Sequence, residues 1–290
     1  MPVVSLSPIA LAVISAFLFG SSQVAAKVAT RYVDSFTGAR LSIGVTMLVY
    51  WGLAPFFLEW SYFASPWVFL YAAIGLFQPI ISISLAFEAT RRMGPTVAAT
   101  LTSVGPLFTA AGAVLLVGET LTIPLLAGTL GVVLGVMTLF GFGRGRFNWP
   151  KSTLLFPFTT AAIRGFSHVA YKIGFGSLPY PVLAGLISYS VSFLAGTIFN
   201  ALRPESLKLD LTWQGFRWLA LVGVGNAIAW LCMTTAFRDG QLVVVIPIVG
   251  AFPLVTMLVS FLFFRGEVLN LRIVAGVVLI VLSVMVIALS

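Results

Sequence analysis

The chain has 290 residues, 60% of them apolar and only 8% charged, with a mean hydropathy of +1.09. A water-exposed surface ordinarily draws on about a quarter of charged residues, so the composition excludes a soluble protein and implies an integral membrane one. The formal charge of +8 does not indicate a nucleic-acid binder, because the basic residues stand singly in short loops between apolar runs.

A helix that crosses the hydrocarbon core takes about 20 mostly apolar residues. Charges, Pro/Gly positions and polar loops divide the chain into ten such segments, near 8–29, 36–58, 66–88, 94–117, 120–141, 153–177, 180–202, 213–237, 241–265 and 269–289. These runs are too long for barrel strands and do not alternate, so an all-α integral membrane protein with ten transmembrane helices is predicted. Segment 1 is expected to be retained. Val24-Ala25-Ala26 satisfies a small-residue cleavage rule, but Met1–Pro8 lacks the Lys or Arg of a signal-peptide n-region. Trp60, Trp67, Trp149, Trp213 and Trp218 fall at segment ends, where interfacial aromatic belts belong; Trp230 does not. Cys232 is the only cysteine, so no intrachain disulfide forms.

The chain repeats itself. Phe19-Gly-Ser-Ser-Gln-Val-Ala-Ala-Lys27 in segment 1 returns in segment 6 as Gly165, Ser167, Val169-Ala170 and Lys172. Gly75 and Gln78 answer to Gly223 and Asn226, Ala86-Phe87 to Ala236-Phe237, and Pro106 to Pro253. Gly118-Glu119 with Gly128 answers to Gly266-Glu267 with Gly276. Two units follow, 1–146 and 147–290. Each holds an odd number of segments, so the second inserts upside down relative to the first. Inverted repeats of this kind place a ligand near the midplane between the halves. Thirteen of the sixteen basic residues fall on one membrane side; only Lys172 and Arg238 fall on the other, and Arg164 lies within the membrane. The positive-inside rule then makes the odd-numbered loops cytoplasmic and both termini extracytoplasmic.

The Gly-x-Ser ends of segments 1 and 6 with their lysines, the prolines of segments 4 and 9, and the Gly-Glu openings of segments 5 and 10 recur in order, twice. In this pattern the whole chain resembles the drug/metabolite transporter superfamily, in its EamA-domain branch of ten-helix proteins. The resemblance implies a basket of segments 1–4 and 6–9 around a central cavity, with segments 5 and 10 outside. It also implies transport of amino acids, drugs, sugars or other metabolites across the cytoplasmic (inner) membrane. Aromatic amino-acid exporters of this family are expected to line segment 3 with aromatic side chains. The comparable stretch here, Gln78-Pro79-Ile80-Ile81-Ser82, has none.

Arg164 lies halfway along segment 6, where an uncompensated arginine costs at least about 2.5–3.5 kcal/mol. No Asp or Glu occupies the middle of any segment. A substrate carboxylate or phosphate is therefore one expected counter-charge, since guanidinium grips such groups bidentately. The alternative is structural: bonds to carbonyls near Pro157, or snorkelling to the interface. His168 and Tyr171, at i+4 and i+7, share the Arg164 face, and His168 is either a ligand contact or bonded within the bundle. Gln78 and Asn226 occupy equivalent repeat positions, where buried amides need hydrogen bonds, from substrate or from neighbouring helices. Gln23, the repeat partner of His168, and Trp230 complete the candidate lining. Lys27 and Lys172 are candidate gates or helix-end anchors at opposite faces, Pro106 and Pro253 candidate hinges or static kinks. Glu119 and Glu267 suit helix N-termini.

These residues point to a secondary transporter that moves a small anionic or zwitterionic metabolite by alternating access, with export favoured. No Gly-x-x-x-x-Gly-Lys-[Ser/Thr] loop appears, and neither cofactor nor metal site is expected. A carrier of neutral or cationic metabolites or drugs, with Arg164 structural, is the alternative. A membrane-embedded enzyme acting on lipids would need clustered acids, metal ligands or a nucleophile with its base, and a receptor would need a signalling domain or a long loop. The expected partners are a small-molecule substrate and the lipid bilayer, with no nucleic acid. Segment 5 carries Gly131-x-x-x-Gly135, a helix-packing pattern, and segments 5 and 10 offer a peripheral face for a homodimer.

Overall fold

The structure, a computed structural model, describes residues 7–102, 104–112, 115–116, 122–141, 149–202, 212–239, 242–263 and 271–288. Among these residues every regular element is helical. The first half holds α1 (Pro8–Ala29), α2 (Ser35–Phe57), α3 (Trp67–Phe77), α4 (Ile80–Met93), α5 (Pro95–Thr102), α6 (Gly105–Gly112) and α7 (Ile123–Gly141). The second holds α8 (Leu155–Phe175), α9 (Pro181–Ala201), α10 (Trp213–Asp239), α11 (Leu242–Gly250), α12 (Phe252–Phe263) and α13 (Leu271–Ala288). Among the described residues five stretches are long and apolar enough to cross a membrane: α1, α2, the α3–α4 pair, α9 and α10.

Three of the predicted segments are not continuous helices. Segment 3 breaks at Gln78, whose backbone is extended at φ −125° and ψ 127°. The cause is Pro79, whose ring disfavours the helical region for the residue before it and which has no N–H to donate. Segment 3 then runs on past its predicted end to Met93. It stops at Gly94, which takes φ 83°, a left-handed conformation natural to glycine. Segments 4 and 9 break ahead of Gly105-Pro106 and Phe252-Pro253. Pro106 and Pro253 thus occupy the second position of α6 and α12, where a missing N–H costs nothing. The expectation of prolines inside continuous helices is corrected: they open new helices. Gly118-Glu119 and Gly266-Glu267 lie outside the described residues.

The two halves cross over one another. Helix α1 packs on α10, α11 and α12, while its repeat partner α8 packs on α3, α4, α5 and α6. Helix α2 packs on its partner α9, and α7 on its partner α13. The crossings use the same atoms twice. A Cβ on Gly20 would lie 2.7 Å from the Phe252 carbonyl oxygen, and one on Gly165 2.8 Å from that of Gly105. The Thr256 hydroxyl donates to the Gly20 carbonyl at 3.3 Å, and the Thr109 hydroxyl to that of Gly165 at 3.3 Å. Likewise Thr46 donates to the Gly223 carbonyl at 2.7 Å and Ser192 to that of Gly75.

Glycine lets the helices approach, and the neighbouring hydroxyl then bonds the exposed carbonyl. The hydroxyl is the minor part, since such interhelical bonds average about 0.6 kcal/mol. Thr109→Val and Thr256→Val are each expected to destabilise by less than about 1 kcal/mol, read as a small and similar fall in melting temperature in detergent. Unequal falls would break the equivalence of the two crossings.

The Gly131/Gly135 face is taken up inside the chain. A Cβ on Gly135 would meet the Gly276 carbonyl of α13 at 3.3 Å. The outward residues Leu126, Leu130 and Leu134 are exposed.

Candidate functional site

The three helix breaks and α8 surround one central cavity of about 90 Å³. Helix α8 contributes Arg164 and His168, a turn apart. Gln78 and Pro79 come from the α3–α4 break, Pro106 from α6, and Asn226 and Trp230 from α10. No described residue of α2, α7 or α13 lies in the wall. Six residues singled out in the sequence therefore converge here: Gln78, Pro106, Arg164, His168, Asn226 and Trp230. Gln23 lies beside them, in a smaller adjoining cavity that shares Phe19, Ile83, Arg164, Asn226 and Phe252 with the central one.

Arg164 is half-buried. Among the described residues neither a hydrogen bond nor an ion pair reaches its guanidinium. Among the described residues the wall contains no Asp, Glu or Lys. Gln78 is buried, and its side-chain oxygen has no hydrogen-bond partner among the described residues. Such an orphaned acceptor costs about 1–3 kcal/mol, unless a ligand supplies the donor. The wall thus offers a guanidinium, two carboxamides and the His168 ring to whatever occupies it.

Tyr171 does not reach the cavity. It is 1% exposed, and its hydroxyl donates to the Ser188 Oγ at 2.8 Å. Its ring belongs to an aromatic cluster with Tyr50, Tyr71, Phe175, Tyr189 and Trp230. Only Tyr189 and Trp230 of that cluster touch the cavity; the others close the wall behind them, toward the Lys172 end of α8. The Tyr50 and Tyr71 hydroxyls donate to the carbonyls of Ala227 at 3.0 Å and Leu178 at 2.7 Å, so the rings are pinned.

The opposite end is polar. Lys27 Nζ donates to the Arg91 carbonyl at 3.0 Å and lies 3.4 Å from that of Thr90, joining the end of α1 to the end of α4. Glu88 accepts from Ser35 Oγ at 2.5 Å, from Arg91 Nε at 2.9 Å and from Arg92 Nε at 2.5 Å. The Arg92 guanidinium lies 4.9 Å over the Phe156 ring of α8. Lys172, the repeat partner of Lys27, is exposed at the end of α8, and Pro253 is buried outside the cavity wall.

Sequence reasoning did not single out Phe19, Tyr189, Met233 or Phe252, which also form the wall. Tyr189 and Phe252 sit in apolar runs whose polar neighbours at helical spacing are only the small hydroxyls of Ser192 and Thr256, which core and lipid-facing helices also carry, so nothing local distinguishes them.

A crystal structure of another protein, 19% identical, covers 96% of this chain and 95% of its own with a TM-score of 0.69, and so shares the fold. No curated protein sequence matches the chain. The family model of the EamA-like transporter family matches it twice, over residues 6–141 and 151–289. With both halves of its length matched, the chain belongs to the EamA-like transporter family and is a multi-pass membrane transporter.

Proposed function

We propose that this protein is a secondary transporter that carries a small anionic or zwitterionic metabolite by alternating access, outward across the cytoplasmic membrane. The observation that carries the reading is Arg164: a guanidinium facing a central cavity with no carboxylate among the described residues of its wall. A ligand carboxylate or phosphate supplies the missing partner through a bidentate charge-assisted pair. The ten predicted segments cross the membrane, with both termini outside by the distribution of Lys and Arg.

The two ends of the cavity then act as gates. The aromatic cluster behind Trp230 closes the extracytoplasmic side. The Lys27 contacts and the Glu88 cluster join α1, α2 and α4 on the cytoplasmic side. Rocking α1 with its second-half partners against α8 with its first-half partners loosens one set of contacts while keeping the other. Any homodimer would use the exposed faces of α7 and α13, since the glycine face of α7 is occupied within the chain.

The test is a melting-temperature screen of the purified protein against acidic, zwitterionic, neutral and cationic metabolites, since a ligand of the folded state raises the melting temperature. Losing one member of a buried charge pair costs about 2–5 kcal/mol. Arg164→Gln is therefore expected to weaken binding of the stabilising anion at least about 30-fold. Stabilisation only by neutral or cationic compounds, equal in the variant, would make Arg164 structural and refute the reading.

A further inference from the structure

The charge balance of the cavity narrows the substrate class; this deepens the reading above and rests on it. Among the described wall residues Arg164 is the one permanent charge. The three broken helices also bring backbone ends there, each with partial charges of about half an elementary charge. They come in opposed pairs: the C-terminal ends of α3, α5 and α11 face the cavity through Gln78, Thr102 and Gly250. The N-terminal ends of α4, α6 and α12 do so through Ser82, Pro106 and Phe252. Paired ends largely cancel, and the full charge of the guanidinium remains.

A charge left uncompensated near the membrane centre is costly. An occupied cavity is therefore most stable when the ligand brings a net charge of −1. A zwitterion satisfies the guanidinium with its carboxylate, but its ammonium leaves the closed complex at +1. An amine leaves it at +2.

Among its described residues the wall also offers an ammonium no anion that would neutralise it. No carboxylate stands among the described wall residues. The face of Trp230, which would otherwise attract a cation, is 2% exposed and enclosed by Tyr50, Tyr171 and Tyr189 at 5.9, 5.2 and 6.1 Å between ring centroids. Gln78 offers one orphaned neutral acceptor, which suits a hydroxyl or amide N–H.

The geometry points to a small organic monoanion without an ammonium group as the ligand of this cavity. Its carboxylate meets Arg164, its apolar or flat body lies against Phe19, Tyr189 and Phe252, and a neutral donor meets Gln78. The cavity of about 90 Å³ holds roughly six to nine waters at about 10–15 Å³ each, which keeps that body small.

The experiment compares ligands of near-equal size that differ chiefly in charge, on two bodies, by melting temperature of the full chain in detergent. One series is 3-phenylpropanoate, phenylalanine and 3-phenylpropanamide; the other is lactate, alanine and lactamide. In the wild-type protein the monoanion of at least one series is expected to bind about tenfold or more tightly than its zwitterion and its amide, a difference of about 1.4 kcal/mol. In Arg164→Gln the order is expected to invert, with the amide ahead of the acid, because the cavity is then neutral; a group that merely held the fold would not reverse a charge preference. A zwitterion that binds as tightly as its monoanion, in an Arg164-dependent way, overturns this inference and leaves the anion reading standing. Preference for the amide in the wild type, or no binding by either monoanion, overturns both. The wild-type order decides the question even where Arg164→Gln fails to fold.

Discussion

Trp230→Ala is expected to lower the unfolding free energy by about 3–5 kcal/mol, the usual cost of truncating a buried tryptophan. The indole is 2% exposed and meets three rings edge to face: Tyr50 at 5.9 Å and 87°, Tyr171 at 5.2 Å and 73°, and Tyr189 at 6.1 Å and 85°. Each such pair is worth about 0.5–1.5 kcal/mol beyond the area it buries. The surrounding rings cannot collapse into the gap, because the Tyr50 and Tyr171 hydroxyls are bonded to Ala227 and Ser188.

The void therefore persists and merges with the central cavity. Trp230→Phe keeps most of the ring contact and is expected to recover more than half of the loss. The measurement is thermal or denaturant unfolding in detergent. A fall for Trp230→Ala of under about 1 kcal/mol would show that the cluster relaxes and does not seal the wall. In proteoliposomes the alanine variant is further expected to leak small solutes that the wild type retains.

Gly165→Val is the second large effect. A Cβ at that position would stand 2.6 Å from Phe108 Cβ, 2.8 Å from the Gly105 carbonyl oxygen and 2.9 Å from the Thr109 amide nitrogen. Two of these atoms are backbone, so no rotamer change relieves the contact and α8 must move away from α6. Overpacking of this kind costs about 1–3 kcal/mol, occasionally more. It also stretches the 3.3 Å bond from Thr109 to the Gly165 carbonyl.

Because Gly165 lies one residue from Arg164, the displacement shifts the guanidinium as well, and ligand binding is expected to fall with stability. Gly20→Val makes the equivalent collision with Phe252 and Val255, on the half of the molecule without the arginine. It is expected to match Gly165→Val in melting temperature and to retain more ligand binding. Binding that falls equally in the two variants would separate the site from the α8 crossing.

The amino-acid sequence by itself determined that the chain lives in a membrane, roughly where its apolar segments lie and that it is built twice. Those properties are local or periodic. An apolar run needs no partner to be expelled from water, and the recurrence of Gly20, Ser22 and Lys27 as Gly165, Ser167 and Lys172 needs no structure to be seen. The sequence also brought out Arg164, Gln78 and Asn226, because polar groups in apolar helices are costly wherever they end up.

Only the tertiary structure decided which stripe of each helix faces the cavity and how deep the cavity runs. Tyr171 shows the limit of helical spacing. Seven residues beyond Arg164 it points in nearly the same direction, yet it lies about 10.5 Å further along the axis, past the cavity and inside the aromatic cluster. Tyr189 and Phe252 show the converse: ordinary apolar-run residues become cavity wall because α9 and α12 cross beside a broken helix. The breaks themselves were half legible. Pro79, Pro106 and Pro253 were visible in the sequence, but a proline that kinks a helix and one that opens a new helix look alike. What separates them is how the freed backbone groups are satisfied, as where the Ile80 amide donates to Ser192 of α9 at 3.2 Å, and that partner is 112 residues away.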